Sequence, residues 1–347
     1  MNTANKMAFA TAASFVLILS GCNTDKVEPE RKPAELTVNA VSRNMTRGYV
    51  PGTAFEQVVN PSASPAETAV KRDLVISAYN VTDDAEYFTG FTFKYISGNG
   101  VWSNFEGDTH KPIYWPLDNT LDFLAYSQSN GITGDGSPKI KADWSGARKV
   151  TLKVTAESTQ DDILYAAANG MTSASSSSTS GFSMQFYHAQ AWVTFNLKVA
   201  SGCPTDVLKI NAIEWQDIYS SGELTITNKG TAGTTGAAEA EWDFFSQCAG
   251  PVCADDLYNV LESPVGTTAS RLDMLLPAQK HSGLIINYTM GEKTGHMRIN
   301  ADRFTNTGTV WEMGRHYTYS LTFTVSEISI APTVTLWDEV AANELEL

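Results

Sequence analysis

The chain reads as all-β, and three observations predict this. Aromatic residues are plentiful, with 8 Trp, 13 Tyr and 15 Phe, and they stand among many Thr and Ser, the composition that suits pleated, half-buried surfaces. Apolar residues recur at every second position in short runs. Gly, Pro, Asn and Asp clusters separate those runs, and no long amphipathic helical pattern interrupts them. At 347 residues the chain has room for two domains of about 100–200 residues each. Short strands punctuated by turns point to β-sandwiches.

Taken in order, the chain opens with a segment carrying Lys6 and an apolar run from Met7 to Leu19. A basic start, an apolar centre and small residues at the exit describe a secretory signal. The run is shorter than the ~20 apolar residues a membrane-spanning helix needs. Leu19-Ser20-Gly21-Cys22 closes it and looks like a bacterial lipobox. There cleavage precedes the Cys and acyl chains attach to it, so Cys22 is the expected lipidation site. Each buried acyl CH₂ contributes about 0.8 kcal/mol, so two or three chains anchor a protein stably. Residues 1–21 are read as the signal peptide, and the chain beyond as exported and tethered to a membrane by its lipid.

The formal net charge is −14, from 38 acidic and 24 basic residues. Such a surface disfavours nucleic acid and anionic lipid headgroups as partners. Apart from Cys22, three cysteines remain, Cys203, Cys248 and Cys253. An exported compartment permits disulfides. Three thiols leave one odd, and both Cys248–Cys253 and a pairing with Cys203 stay open.

Residues 23–35 mix charges with Pro29 and Pro33, as a solvated tether does. Leu36 to Val41 alternates and is expected to form a first strand. Arg43 and Arg47 follow in a polar, Gly-containing stretch; spacing alone makes them ordinary surface residues. Leu74–Tyr79 and Phe88–Ile96 are expected strands, the latter with Phe91, Phe93 and Tyr95 on one face. Gly98-Asn99-Gly100 turns the chain into Val101-Trp102. Leu121–Tyr126 and Val150–Val154 continue the series. Pro116 belongs at a strand edge or corner, since it cannot donate a ladder hydrogen bond. Residues 171–181, Met-Thr-Ser-Ala-Ser-Ser-Ser-Ser-Thr-Ser-Gly, cannot build core, and the boundary between two domains, 48–180 and 181–347, is placed here.

Beyond it, Phe182–Val199, Leu208–Trp215, Gly222–Thr227 and Arg271–Pro277 read as strands. Residues 228–240 form a hairpin loop, and Leu284–Met290 with Lys293–Asn300 a hairpin around Gly291. Trp311–Gly314 is a turn into a long strand through Phe323. At the end Ile328, Ile330, Pro332, Val334 and Leu336 occupy alternate positions, so one face of an extended strand carries all five.

Chemistry is sparse. No Gly-rich phosphate loop opens a helix. The five His residues are scattered, without the spacing of a helical metal site. His188, on an apolar strand, reads as a core histidine. Asp83-Asp84, Asp161-Asp162 and Asp255-Asp256 read as solvated turn residues rather than a glycosidase pair. The Trp residues fall in strand patterns that need core. No catalytic, cofactor-binding or metal-binding residue is expected, and the chain is not read as an enzyme.

The lipobox, Tyr114-Trp115-Pro116 before Leu121–Tyr126, Met184-Gln185-Phe186-Tyr187-His188-Ala189 before Trp192–Leu197, Leu276-Pro277, and Trp311-Glu312-Met313-Gly314 with Tyr317-Thr318-Tyr319 together resemble the fimbrillin-like lipoproteins of Bacteroides-type bacteria, over most of residues 22–337. That resemblance implies two transthyretin-like β-sandwich domains in tandem and assembly into type V pili with other fimbrillin subunits at the cell surface, with adhesion to a host or bacterial ligand. It also implies a trypsin-like or Arg-specific protease that removes the N-terminal segment, residues 22–47, at Arg47, with Arg43 the alternative. The three additional cysteines depart from the pattern and leave open an accessory or tip role.

Cleavage at Arg47 would take strand 36–41 from its sheet and open a groove. The expectation is that strand 328–337 of another copy fills it, with Ile328, Ile330, Val334 and Leu336 as donor residues. A monomeric glycan-binding lipoprotein is the rival reading, and it needs neither the Arg47 site nor the alternating C-terminal strand.

Overall fold

The structure, a computed structural model, describes residues 33–42, 56–58, 69–127, 140–154, 162–176, 180–203, 208–219, 222–230, 238–244, 266, 268, 270–304, 308–324 and 328–336. In chain order the strands are β1 (Val38–Ser42), β2 (Glu56–Val58), β3 (Ala69–Lys71), β4 (Leu74–Asn80), β5 (Ala85–Ile96), β6 (Val101–Glu106), β7 (Thr109–His110), β8 (Leu121–Ser127), β9 (Lys141–Trp144), β10 (Lys149–Val154) and β11 (Leu164–Met171). They continue with β12 (Phe182–His188), β13 (Gln190–Val199), β14 (Leu208–Gln216), β15 (Gly222–Asn228), β16 (Ala238–Phe244), β17 (Ser270–Pro277), β18 (Gly283–Met290), β19 (Lys293–Asn300), β20 (Arg315–Phe323) and β21 (Ile328–Leu336). Among the described residues the only helical elements are short 3-10 turns at Ser173–Ser175 and Ala301–Arg303. The fold is all-β, as composition and periodicity predict.

Two lobes result. In the first, an eight-stranded sheet runs β1-β12-β11-β8-β4-β5-β6-β7 and closes on itself, because β1 also pairs with β6. Its interior holds Leu36, Val38, Leu74, Ile76, Phe93 and Phe123 among others. A four-stranded sheet, β16-β15-β10-β9, lies over its outer face. Strand β8 sits between the two layers and is buried at every position. Leu121, Phe123 and Ala125 face the interior, while Leu124 and Tyr126 pack against Val150, Leu152, Leu224 and Ile226 of the covering sheet. A strand covered on both faces loses the alternation of a half-buried one, which is why Leu-Asp-Phe-Leu-Ala-Tyr is nearly all apolar. Asp122 is held there by Arg148, 2.6 Å away, and by the Gly170 amide at 2.8 Å.

The second lobe is a sandwich of β17-β13-β20-β21 on β14-β18-β19. Trp215, Trp311, Tyr319, Phe195 and Phe304 dominate its core. The expected turns form where glycine allows them: Gly100, Gly291 and Gly314 all have positive φ.

The sheets do not divide at the expected boundary. Residues 171–181 join β11 to β12, two antiparallel neighbours of one sheet, so that stretch connects strands within the first lobe. Strands β15 and β16, from beyond position 181, pair with β10 to complete the covering sheet. The lobes meet instead at His188-Ala189-Gln190, where β12 runs into β13 through a single residue. A polar low-complexity run shows that a segment is a loop; it says nothing about where the loop leads.

Two further expectations change. Phe93 is buried but Phe91 remains 42% exposed, stacked on Phe88 with centroids 5.2 Å apart. Leu74 to Ile76 pair in regular register with Phe93 to Phe91, and the register of β4 and β5 shifts only beyond Phe91, between it and Phe88, so alternation fails from Phe91 to the buried Phe88. Asp162 is a buried residue, not a solvated turn residue: Arg72 Nη1 lies 3.3 Å and His188 Nδ1 2.9 Å from its carboxylate. His188 is accordingly a core histidine, and Trp102, Trp115, Trp192, Trp215 and Trp311 are all core. Asp83 and Asp84 do lie in an exposed turn.

Candidate assembly site: an inserted strand and an edge strand

Strand β1 is short and lies at the N-terminal end of the described chain, yet it is deeply built in. It runs parallel to β12, with Val38 opposite Phe182 and Ser42 opposite Phe186. On its other side Val38 pairs antiparallel with Trp102. Ahead of β1 the backbone is already engaged: Trp115 N donates to Ala34 O at 2.9 Å, Leu36 N to Ile113 O at 2.7 Å, and Phe182 N to Thr37 O at 3.0 Å. Leu36 and Val38 are fully buried and Ala40 packs partly against the same core. Burying a Leu or Val side chain contributes roughly 1.5–3 kcal/mol each.

The pocket floor is aromatic. Phe182 lies 4.4 Å from Phe123 and 5.5 Å from Trp115, centroid to centroid. Gly181 makes the close approach possible, since a Cβ there would stand 2.7 Å from Thr37 O, and its φ is +62°. At the mouth, Glu35 Oε1 meets His110 Nε2 at 2.7 Å and also accepts from Ser103 Oγ, which in turn is 2.9 Å from His110 Nε2.

Strand β21 pairs antiparallel with β20 along its whole length, from Phe323 opposite Ile328 to Arg315 opposite Leu336. It therefore lies in its own sandwich, at a sheet edge with one neighbour among the described residues. Ile330 stands opposite Leu321, Pro332 opposite Tyr319 and Val334 opposite Tyr317; Val334 is exposed. An edge position is where a proline costs least.

Of the other sequence-predicted residues, Cys22, Arg43 and Arg47 lie outside the described residues, as do Cys248 and Cys253. Cys203 is half-buried and forms no disulfide among the described residues. Among the described residues no His, Cys, Asp and Glu group could hold a metal ion, and no helix is long and apolar enough to cross a membrane. Sequence reasoning missed the Glu35–Ser103–His110 cluster. Its members stand 68 and 75 positions apart, and only the pairing of β1 with β6 and β7 beside it brings them together.

The fimbrillin-like family model matches residues 66–337. The chain belongs to the fimbrillin-like family. The matched region of this fimbrillin-like chain begins after β1 and ends one residue beyond β21. A crystal structure of a protein named for cell adhesion from Bacteroides uniformis is similar at TM-score 0.52 and 14% identity, covering 88% of this chain and 99% of that one. One from Bacteroides ovatus, likewise named, gives TM-score 0.52 and 13% identity, with 88% and 99% covered. At such identities the likeness is one of fold. No curated protein matches the chain.

Proposed function

We propose that this fimbrillin-like chain is a structural subunit of a cell-surface fimbrium that supports adhesion. It is exported as an outer-membrane lipoprotein through Cys22, released by proteolysis after Arg47 or Arg43, and polymerised with other fimbrillin subunits by strand exchange. It works by assembly rather than by catalysis.

One observation carries the reading. Strand β1 is buried in the closed sheet of the first lobe, yet it lies wholly upstream of both arginines, because Ser42 is followed directly by Arg43. Cleavage at either site severs β1 and its lipid from the body. Loss of β1 breaks the ring, leaving β12 and β6 with unpaired backbone groups over an open apolar pocket. Such an edge is a template for an incoming strand. Strand β21 suits that role, since an edge strand can leave its sheet without opening the sheet's centre.

N-terminal sequencing of assembled fimbriae tests the proposal. Polymerised subunits should begin at Gly48 or Asn44, and Arg43→Ala with Arg47→Ala should abolish incorporation while the precursor still folds. Polymerised subunits that begin at Cys22 would sink it.

A further inference from the structure

Glu327-Ile328-Ser329-Ile330-Ala331-Pro332 repeats, position by position, the chemistry of Glu35-Leu36-Thr37-Val38-Asn39-Ala40. Each has an acid, then a branched aliphatic, a hydroxyl, a β-branched aliphatic, a small or polar residue and a small apolar one. We infer that the C-terminal strand of one copy enters the β1 groove of the next in the same direction as β1, with Glu327 at the place of Glu35, Ile328 at Leu36 and Ile330 at Val38. This inference rests on the strand-exchange reading above and fixes its register and polarity.

The groove discriminates among registers. Its apolar pockets are those of Leu36, Val38 and Ala40, so only even-numbered donor residues can fill them. Advancing the donor by two places puts Pro332 at Val38 and Ser329 before His110. Advancing by four puts Pro332 at position 36, whose amide donates to Ile113 O; proline has no such donor. Advancing by six sends Asp338 into the Ala40 pocket. Reversing the strand fills the pockets with Leu336, Val334 and Pro332 but sets Trp337 against Ser103 and His110.

The inferred register has none of these faults. Phe182 N donates to Thr37 O while Leu36 N donates away from β12. In a parallel ladder the bonds to one neighbour come from alternate residues, so even positions of β1 turn their amides away from β12. Pro332 at position 40 then forfeits no bond to β12. Glu327 restores to Ser103 and His110 the carboxylate that leaves with the cleaved segment, giving the groove a polar gauge at its mouth that sets where the strand stops.

Cross-linking tests this. Asn39 lies opposite Ser183, and Ser183 is exposed, so in fimbriae Ala331 of one copy should lie opposite Ser183 of the next, within disulfide reach. With Cys203, Cys248 and Cys253 replaced by Ser, Ser183→Cys is combined in turn with Ser329→Cys, Ala331→Cys and Thr333→Cys. Oxidised fimbriae should give a ladder of cross-linked subunits with Ala331→Cys as the dominant pair. A dominant ladder from either other pair, or intact fimbriae with none, overturns the inferred register and leaves strand exchange standing. A chain ending at Thr324 separates the two ideas: if it still polymerises after trimming, the strand-exchange reading itself falls.

Discussion

His188 Nδ1 lies 2.9 Å from Oδ1 of Asp162, at the point where the first lobe passes into the second. Arg72 holds the other carboxylate oxygen at 3.3 Å, and all three side chains are buried. The cluster ties the start of β4, the start of β11 and the end of β12 together. Removing one partner of a buried pair strands the remaining charge, a loss of about 3–5 kcal/mol. Arg72→Met should therefore lower stability by that order in urea unfolding. Arg72→Met combined with Asp162→Leu should lose less than Arg72→Met alone, because the buried carboxylate that faced Arg72 is then removed together with it. Equal losses would show that packing, not charge pairing, is what the cluster supplies.

A second prediction concerns pH. His281 is fully buried between Trp215, Trp311 and Phe304, and its two ring nitrogens have no hydrogen-bond partner among the described residues. Burial pushes its pKa down to about 4 from the ordinary 6.5. The folded chain thus holds His281 neutral over a range where the unfolded chain takes up the proton. Its contribution is intact above about pH 6.5, declines as pH falls toward about 4, and by then has cost about 3 kcal/mol. His281→Phe should flatten that part of the stability–pH curve of the second lobe. An unchanged slope would place the titration elsewhere.

A third prediction tests the seat of β1. Gly181 at φ +62° passes so close to Thr37 that any side chain must displace β1 or itself. Gly181→Ala should destabilise the untrimmed chain by at least about 1 kcal/mol, from the backbone conformation alone. Hydrogen exchange at residues 36–40 should quicken more than exchange in β18 or β19. Uniform quickening throughout the chain would mean that the effect is global rather than a loosening of one strand.

Much of the fold was legible because its strands carry their own signals. Alternation marked β10, β15 and β20, and Gly291 marked the β18–β19 hairpin. The inserted strand was visible too, since Leu36, Thr37, Val38 and Asn39 alternate as a half-buried strand does. What could not be read was which strand lies beside which. The pairing of β10 with β15 links residues some 74 positions apart, as Thr151 and Thr225 illustrate, and no local pattern encodes it. The same holds for Arg72, whose carboxylate partner is 90 positions away. Asp162 looked like a turn residue because its neighbours in sequence are polar, while its burial comes from β4 and β12. The serine-rich run misled for a similar reason, its composition describing a loop but not the strands it joins.

The single-residue passage from β12 into β13 has a mechanical consequence. In a fimbrium assembled as proposed, the incoming strand lies against β12, β12 continues covalently into β13, β13 pairs with β20, and the chain runs on from β20 into the donor strand that has left its own sheet. A pull along the filament is thus carried by strands loaded lengthwise, with no slack coil at the lobe junction to extend first. Hydrogen bonds loaded in this way share the force across a ladder instead of parting one by one, and the shaft would behave as a stiff cord under flow.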